Sequence, residues 1–208
     1  MNSVSSAASP QQATTPGTPV PSTVALPQSR TSVALRHGVL AVLGSLLVAV
    51  CAHVSIPLWF TPVPLTLQTF AVLFLGLVLS PGLAASALGL YLLEGMAGLP
   101  VFSPIGAGGF LHLFGPTGGY LLSYPAAAAL AGMLRRRIGN GGFAPSLAAA
   151  AVASLLILLA GAAWLGIVTH QSAGTVFVLA VAPFLPGDIL KLTAAAAAAV
   201  GLRRFRRS

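Results

Sequence analysis

Residues Thr66–Met96 read TLQTFAVLFLGLVLSPGLAASALGLYLLEGM, apolar almost throughout and broken near the middle by Ser80-Pro81-Gly82. A single helix of this length would reach about 46 Å at ~1.5 Å per residue. The hydrocarbon core of a membrane is only ~30 Å thick. Pro81 lacks a backbone donor, and its ring clashes with the preceding helical turn. The stretch therefore predicts two short helices joined by a tight turn.

Its flanks test that reading. Roughly Leu35–Val54 forms an apolar run before it. Tyr120–Leu134 (extendable back to Gly118), Leu147–Val168 and the shorter Ile189–Leu202 follow it. Arginine clusters stand at Arg135–Arg137 and Arg203–Arg207, and Arg30 and Arg36 precede the first run. Basic residues accumulate on cytoplasmic flanks. Counting Thr66–Met96 as two spans brings all three clusters to one side; counting it as one span would export Arg135–Arg137. A re-entrant hairpin would keep the same parity. The expectation is an all-α polytopic membrane protein with six transmembrane helices over residues 33–208, both termini cytoplasmic, in a bacterial cytoplasmic membrane.

Composition sets the same class. Of 208 residues, 56% are hydrophobic and only 6% charged, with a mean hydropathy of +0.94; a soluble domain carries about 25% charged residues. The net charge of +8 comes from arginines clustered beside the apolar runs, as on cytoplasmic flanks, so nucleic acid is not the expected partner. A lone Cys51 excludes an intrachain disulfide framework. Residues 1–32, rich in Ser, Thr, Pro, Gln and Ala, bury too little apolar surface to offset ordering entropy and are expected to be a disordered tail.

Three connections fall on the outer side: His53–Leu65, Ala97–Gly119 and Thr169–Gly187. All are rich in Pro, Gly or both. Irregular backbone near membrane depth is tolerated where it lines a cavity or is buried in protein, so these segments are candidates for the walls of a ligand pocket.

Within the apolar body stand only three full charges: Glu94, Asp188 and Lys191. Such residues are costly in lipid and mark function by default. Asp188 and Lys191 are neighbours on one helical face. They either neutralise each other, with Asp188 as a helix cap, or grip a polar ligand. Glu94 either faces the same pocket or snorkels to water. Thr66 and Gln68 open a helix and serve as caps or as ligand contacts. Trp59 and Tyr120 suit interfacial anchors or stacking partners, and Phe102 and Phe114 could cover apolar ligand groups. His53, His112 and His170 match no metal-ligand spacing, so neither a metal nor any other cofactor is expected. Ala41, Ser45 and Ala49, four residues apart, allow close helix approach, within the chain or as a docking face for a partner. There is no phosphate-binding G-x-x-x-x-G-K-[ST] loop, nucleophile elbow or H-E-x-x-H helix, so catalysis is not expected.

Four phrases occur together in order: PVPLTLQTF at Pro62–Phe70, YLLEGMAGLPVF at Tyr91–Phe102, GPTGGYL at Gly115–Leu121 and PFLPGDILK at Pro183–Lys191. With them the chain resembles the BioY family, the biotin-binding S components of energy-coupling-factor transporters, from about residue 36 to 202. The resemblance implies six membrane helices, a biotin site near the outer surface, and no ATPase activity in this chain. It also implies a transmembrane coupling subunit and two cytoplasmic ATPase subunits as partners. The family's ligand-binding Asp and Lys match Asp188 and Lys191, and its Gly-Gly-Tyr matches Gly118, Gly119 and Tyr120. Glu94 falls at a position that varies across the family. A carboxylate suits the ureido donors of biotin, and an ammonium suits its ureido oxygen or its carboxylate tail. The alternative is a solitary or proton-coupled carrier acting without ATPase partners, with Glu94 as the proton site.

Overall fold

The computed structural model describes residues 30–206 apart from 107 and 140–141. Most of the expected tail lies outside the described residues. The first helix, α1, runs Arg30–His53. It is apolar all round, as a lipid-facing helix can be: Val39, Val42, Leu43, Leu46 and Val50 are exposed, while Ser45, Val48, Ala49 and Ala52 are buried. The next connection pairs two short strands antiparallel, β1 (Ser55–Ile56) and β2 (Leu65–Thr66), with Ser55 opposite Thr66.

The Thr66–Met96 stretch folds as two helices, α2 (Gln68–Val78) and α3 (Pro81–Met96). Ser80 caps α3, its hydroxyl oxygen accepting from the Leu83 amide, and Pro81 takes the first helical position. There its missing N–H costs nothing, because helix starts leave those donors unpaired anyway. The breaker thus serves as a helix initiator.

A long connection containing a 3-10 helix, Gly109–Phe114, leads to α4 (Gly118–Ile138), then α5 (Phe143–Thr169), α6 (Ala173–Ala180) and α7 (Leu185–Phe205). The short α6 occupies a segment that the sequence presents only as an outer connection. Of the described helices, α1, α5 and α7 are long and apolar enough to cross a membrane.

Helix α2 is central, packing on α1, α4, α5 and α7, while α1 packs on α3, α3 on α4, and α4 on α5. The interfaces are lined by small residues: Ala127, Ala128, Ala131, Ala149, Ala153 and Ala196 are fully buried. Small side chains let backbones approach, which is how helices bind one another where lipid removes the hydrophobic drive. One end of the bundle gathers the start of α1 beside Ser80–Gly82, Gly132 of α4 beside Pro81, and Arg203 of α7 bonded to Ser146 of α5. The opposite end holds the strand pair, the 3-10 helix, α6, and the starts of α2, α4 and α7.

Candidate functional site

At that second end a cavity opens between α2, α4, α5 and α7, with about 520 Å³ of space unfilled by atoms, including the part open to solvent. Its polar wall carries Thr66, Gln68, His112, Tyr124, Asp188 and Lys191; Val63, Leu121, Ile157, Leu158 and Phe184 supply apolar surface.

The local folding of α7 explains the charged pair. The helix begins at Leu185 with Phe184 at its cap and no side-chain cap bond, so Asp188 is not the cap. It stands one turn inside, where its amide bonds the Phe184 carbonyl at 2.8 Å. Asp188 is 6% and Lys191 9% exposed. Lys191 Nζ donates to Asp188 Oδ1 at 3.4 Å, longer than the ~2.7–2.9 Å of a tight charge-assisted bond. The pair offsets its own charge without closing on itself, leaving acceptor and donor capacity toward the cavity. Ser154 of α5 lies next to the Asp188 carboxylate, with its buried hydroxyl making no hydrogen bond of normal geometry.

The same cavity is lined by a network centred on Gln68, which is itself buried. Its Nε2 donates to Tyr91 OH at 2.6 Å, and its Oε1 accepts from Thr66 Oγ1 at 3.1 Å and from Tyr124 OH at 3.4 Å. Leu67, not Thr66, is the cap of α2, and no side-chain cap bond forms there. Thr66 instead orients the Gln68 amide. That amide has two N–H donors, and one is left for the cavity.

Tyr120 lines the cavity and donates from its hydroxyl to the Ala180 carbonyl at the end of α6, at 2.7 Å. Thr61 does the same to the Leu179 carbonyl, also at 2.7 Å. Together they tie α6 to the rim. Gly118 and Gly119 have a packing reason. A Cβ on Gly118 would fall 1.8 Å from the Leu113 carbonyl oxygen, and one on Gly119 would fall 2.2 Å from Trp164 Cβ. Neither lines the cavity, but their close approach to α5 sets where Tyr120 begins.

Other expected site residues are placed elsewhere. Phe102 is buried behind the wall, edge-on to Tyr91 at 5.4 Å and stacked on His112 at 5.1 Å. Phe114 is exposed. Trp59 is 96% exposed, packed only edge-on to Phe60; that geometry suits the interfacial anchor and not the stacking partner. Glu94 does not line the cavity: it accepts a hydrogen bond from Ser45 across the α1–α3 interface. That same contact corrects the docking-face reading of Ala41, Ser45 and Ala49. Ser45 and Ala49 are turned inward and covered by the chain itself, and Ala41 is partly buried, because only small side chains fit where α1 meets α3. The face that α1 leaves open is the apolar one.

Four residues escaped sequence reasoning as site formers: Tyr91, Tyr124, His112 and Ser154. An aromatic in an apolar run carries no sign of whether its hydroxyl will be buried. In the sequence His112 is a candidate only for metal binding; among the described residues no three His, Cys, Asp or Glu side chains converge.

Fold and cavity together define a helical membrane protein with a recessed, partly polar cavity at one end. The chain belongs to the BioY family, whose model matches residues 16–208. It is 37% identical over 149 residues to a probable biotin transporter BioY of Pyrococcus horikoshii, covering 72% of this chain and 85% of that one. It is 35% identical over 171 residues to the biotin transporter BioY of Thermotoga maritima, covering 82% and 98%. Among solved structures, it resembles the S-component for biotin from an ECF-type ABC transporter, with a TM-score of 0.75 at 22% identity, over 83% of this chain and 93% of that one. At that identity the likeness speaks for the fold.

Proposed function

We propose that this chain is the biotin-capturing S component of an energy-coupling-factor transporter. Biotin enters the cavity from the outer side, its polar groups meeting Asp188, Lys191 and the free N–H of Gln68. Its apolar ring lies against Leu121, Ile157, Leu158 and Phe184. The single observation that carries this reading is a half-open acid–base pair and a pre-oriented amide lining one cavity, in a chain of the BioY family. Such a site rejects analogues lacking the polar groups, since its buried partners would then stay unpaired.

In the same reading α1–α5 and α7 are the six crossings, and the residues before α1, which starts at Arg30 and not at 33, are a tail outside the membrane domain. The arginine-bearing end faces the cytoplasm in accord with the positive-inside bias. The chain sits in the bacterial cytoplasmic membrane with both termini inside. Energy comes from two ATPase subunits through a transmembrane coupling subunit. The chain's lack of a phosphate-binding loop supports that division of labour.

The test is capture of radiolabelled biotin by the purified, folded full chain. Saturable retention displaced by unlabelled biotin is expected. No retention even at micromolar ligand would overturn the proposal.

A further inference from the structure

Four hydroxyls on the described helices turn back to the carbonyl four residues earlier: Ser86 to Gly82, Ser146 to Gly142, Thr169 to Leu165 and Thr193 to Ile189, at 2.7–2.9 Å. Ser154 of α5 does not. It is 3% exposed, and its Oγ makes no hydrogen bond of normal geometry. It stands among the fully buried Ala149, Ala150 and Ala153. A buried hydroxyl without a bond costs free energy, so its presence in such an interface calls for a reason.

Its place in the fold supplies one. Ile157 and Leu158 line the cavity, and residues three and four apart share a helix face, so Ser154 sits on the cavity side of α5, one turn deeper. Helix α7 packs on α5, and the Ser154 hydroxyl lies next to the Asp188 carboxylate. Two tyrosines also come near that carboxylate, but their protons are given elsewhere: Tyr120 donates to the Ala180 carbonyl and Tyr124 to Gln68 Oε1. A carboxylate has about four acceptor sites, and Lys191 Nζ meets one of them at 3.4 Å. As that ammonium turns to a ligand, Asp188 is left buried and short of a donor, which is a costly state. Ser154 can supply the donor by rotating one hydroxyl, with no movement of the backbone.

We infer that Ser154 is a positioning residue for ligand capture: its hydroxyl donates to the Asp188 carboxylate as Lys191 turns to the ligand, keeping Asp188 bonded and aimed into the cavity. The inference rests on the biotin reading of that cavity and adds to it a side chain that need not touch the ligand. It also accounts for the unbonded hydroxyl, whose acceptor comes into reach as the acid–base pair opens.

The test is calorimetric titration of the purified full chain with biotin, paired with thermal unfolding of the same samples without ligand. Ser154→Ala should weaken binding about tenfold, as expected when a hydrogen bond to a charged group is removed, while the unfolding temperature stays level or rises. Ser154→Cys, close in size but only a weak donor, should fall between. In an Asp188→Ala chain, Ser154→Ala should cost no further affinity, because the hydroxyl acts through that carboxylate. A lower unfolding temperature with unchanged affinity would make Ser154 a packing residue and overturn the inference. An equal loss of affinity in the Asp188→Ala chain would also overturn it, by placing the hydroxyl on the ligand itself. Failure of the unsubstituted chain to bind biotin would remove the biotin reading and this inference together, whereas biotin binding that Ser154→Ala leaves intact would remove the inference alone.

Discussion

Two carboxylates lie in the apolar body of this protein, and they have been put to different use. Asp188 sits on the cavity wall beside Lys191, at a hydrogen-bond length that leaves the pair half open. Glu94 sits between α1 and α3, spoken for by the Ser45 hydroxyl and away from the cavity. Each would be expensive in lipid, and each is made tolerable differently: one by an opposite charge next to a polar space, the other by a neutral donor inside a helix interface. The contrast teaches that an intramembrane charge marks function only when its partners leave it something to do.

Substitutions can sharpen or break this contrast. The largest effect is expected at the pair. Asp188→Ala and Lys191→Ala should each weaken biotin binding by roughly 10-fold or more, since a hydrogen bond to a charged group contributes about 1.5–3 kcal/mol; calorimetric titration of the purified variants reads this. Either substitution also strands the remaining charge, which destabilises a buried pair by about 3–5 kcal/mol. Asp188→Asn paired with Lys191→Met should therefore unfold at a higher temperature than either single alanine variant while still binding poorly.

Next in size is the amide. Gln68→Leu removes the cavity-facing N–H and leaves the Tyr91 hydroxyl oxygen without its donor, at a cost of about 1–3 kcal/mol in stability. A lower unfolding temperature together with several-fold weaker biotin binding is expected. A change in stability alone would make Gln68 a structural hub and nothing more. Gly119→Ala should act through packing: with Trp164 Cβ in the way, overpacking should cost about 1–3 kcal/mol, with affinity shifted only so far as Tyr120 is moved. The smallest effect is expected at Glu94→Gln, which can still accept from Ser45. Biotin affinity should hold, and radiolabelled uptake in vesicles should not respond to collapse of the proton gradient. Loss of gradient-driven uptake in this variant alone would reinstate Glu94 as a working group and the proton-coupled carrier with it.

How much of this was visible in the sequence depends on distance along the chain. The break at Ser80-Pro81-Gly82 was legible because capping and the steric demands of proline are local, and Ser80 and Pro81 start α3. The Asp188–Lys191 pair was legible because residues three apart share a helix face. The direction in which Glu94 points was not, since it depends on which neighbour α3 meets, and Ser45 lies 49 residues away. Gly118 and Gly119 showed that something passes close, but not that Trp164 is the obstacle. The Gln68 network joins α2 to Tyr91 of α3 and Tyr124 of α4; no periodicity encodes such a meeting. Helix α6 was missed because eight residues between a turn and a proline give too short a pattern to separate from a connection.

The account stands or falls on whether the cavity reads the polar groups of biotin. Calorimetric titration of the purified, folded chain with biotin, with an analogue lacking the ureido ring and with one lacking the carboxylate tests this directly. Saturable binding of biotin, with marked loss for at least one analogue and with that loss muted in Asp188→Asn or Lys191→Met, is the predicted result. Equal affinity for all three molecules, or none for any, would contradict it.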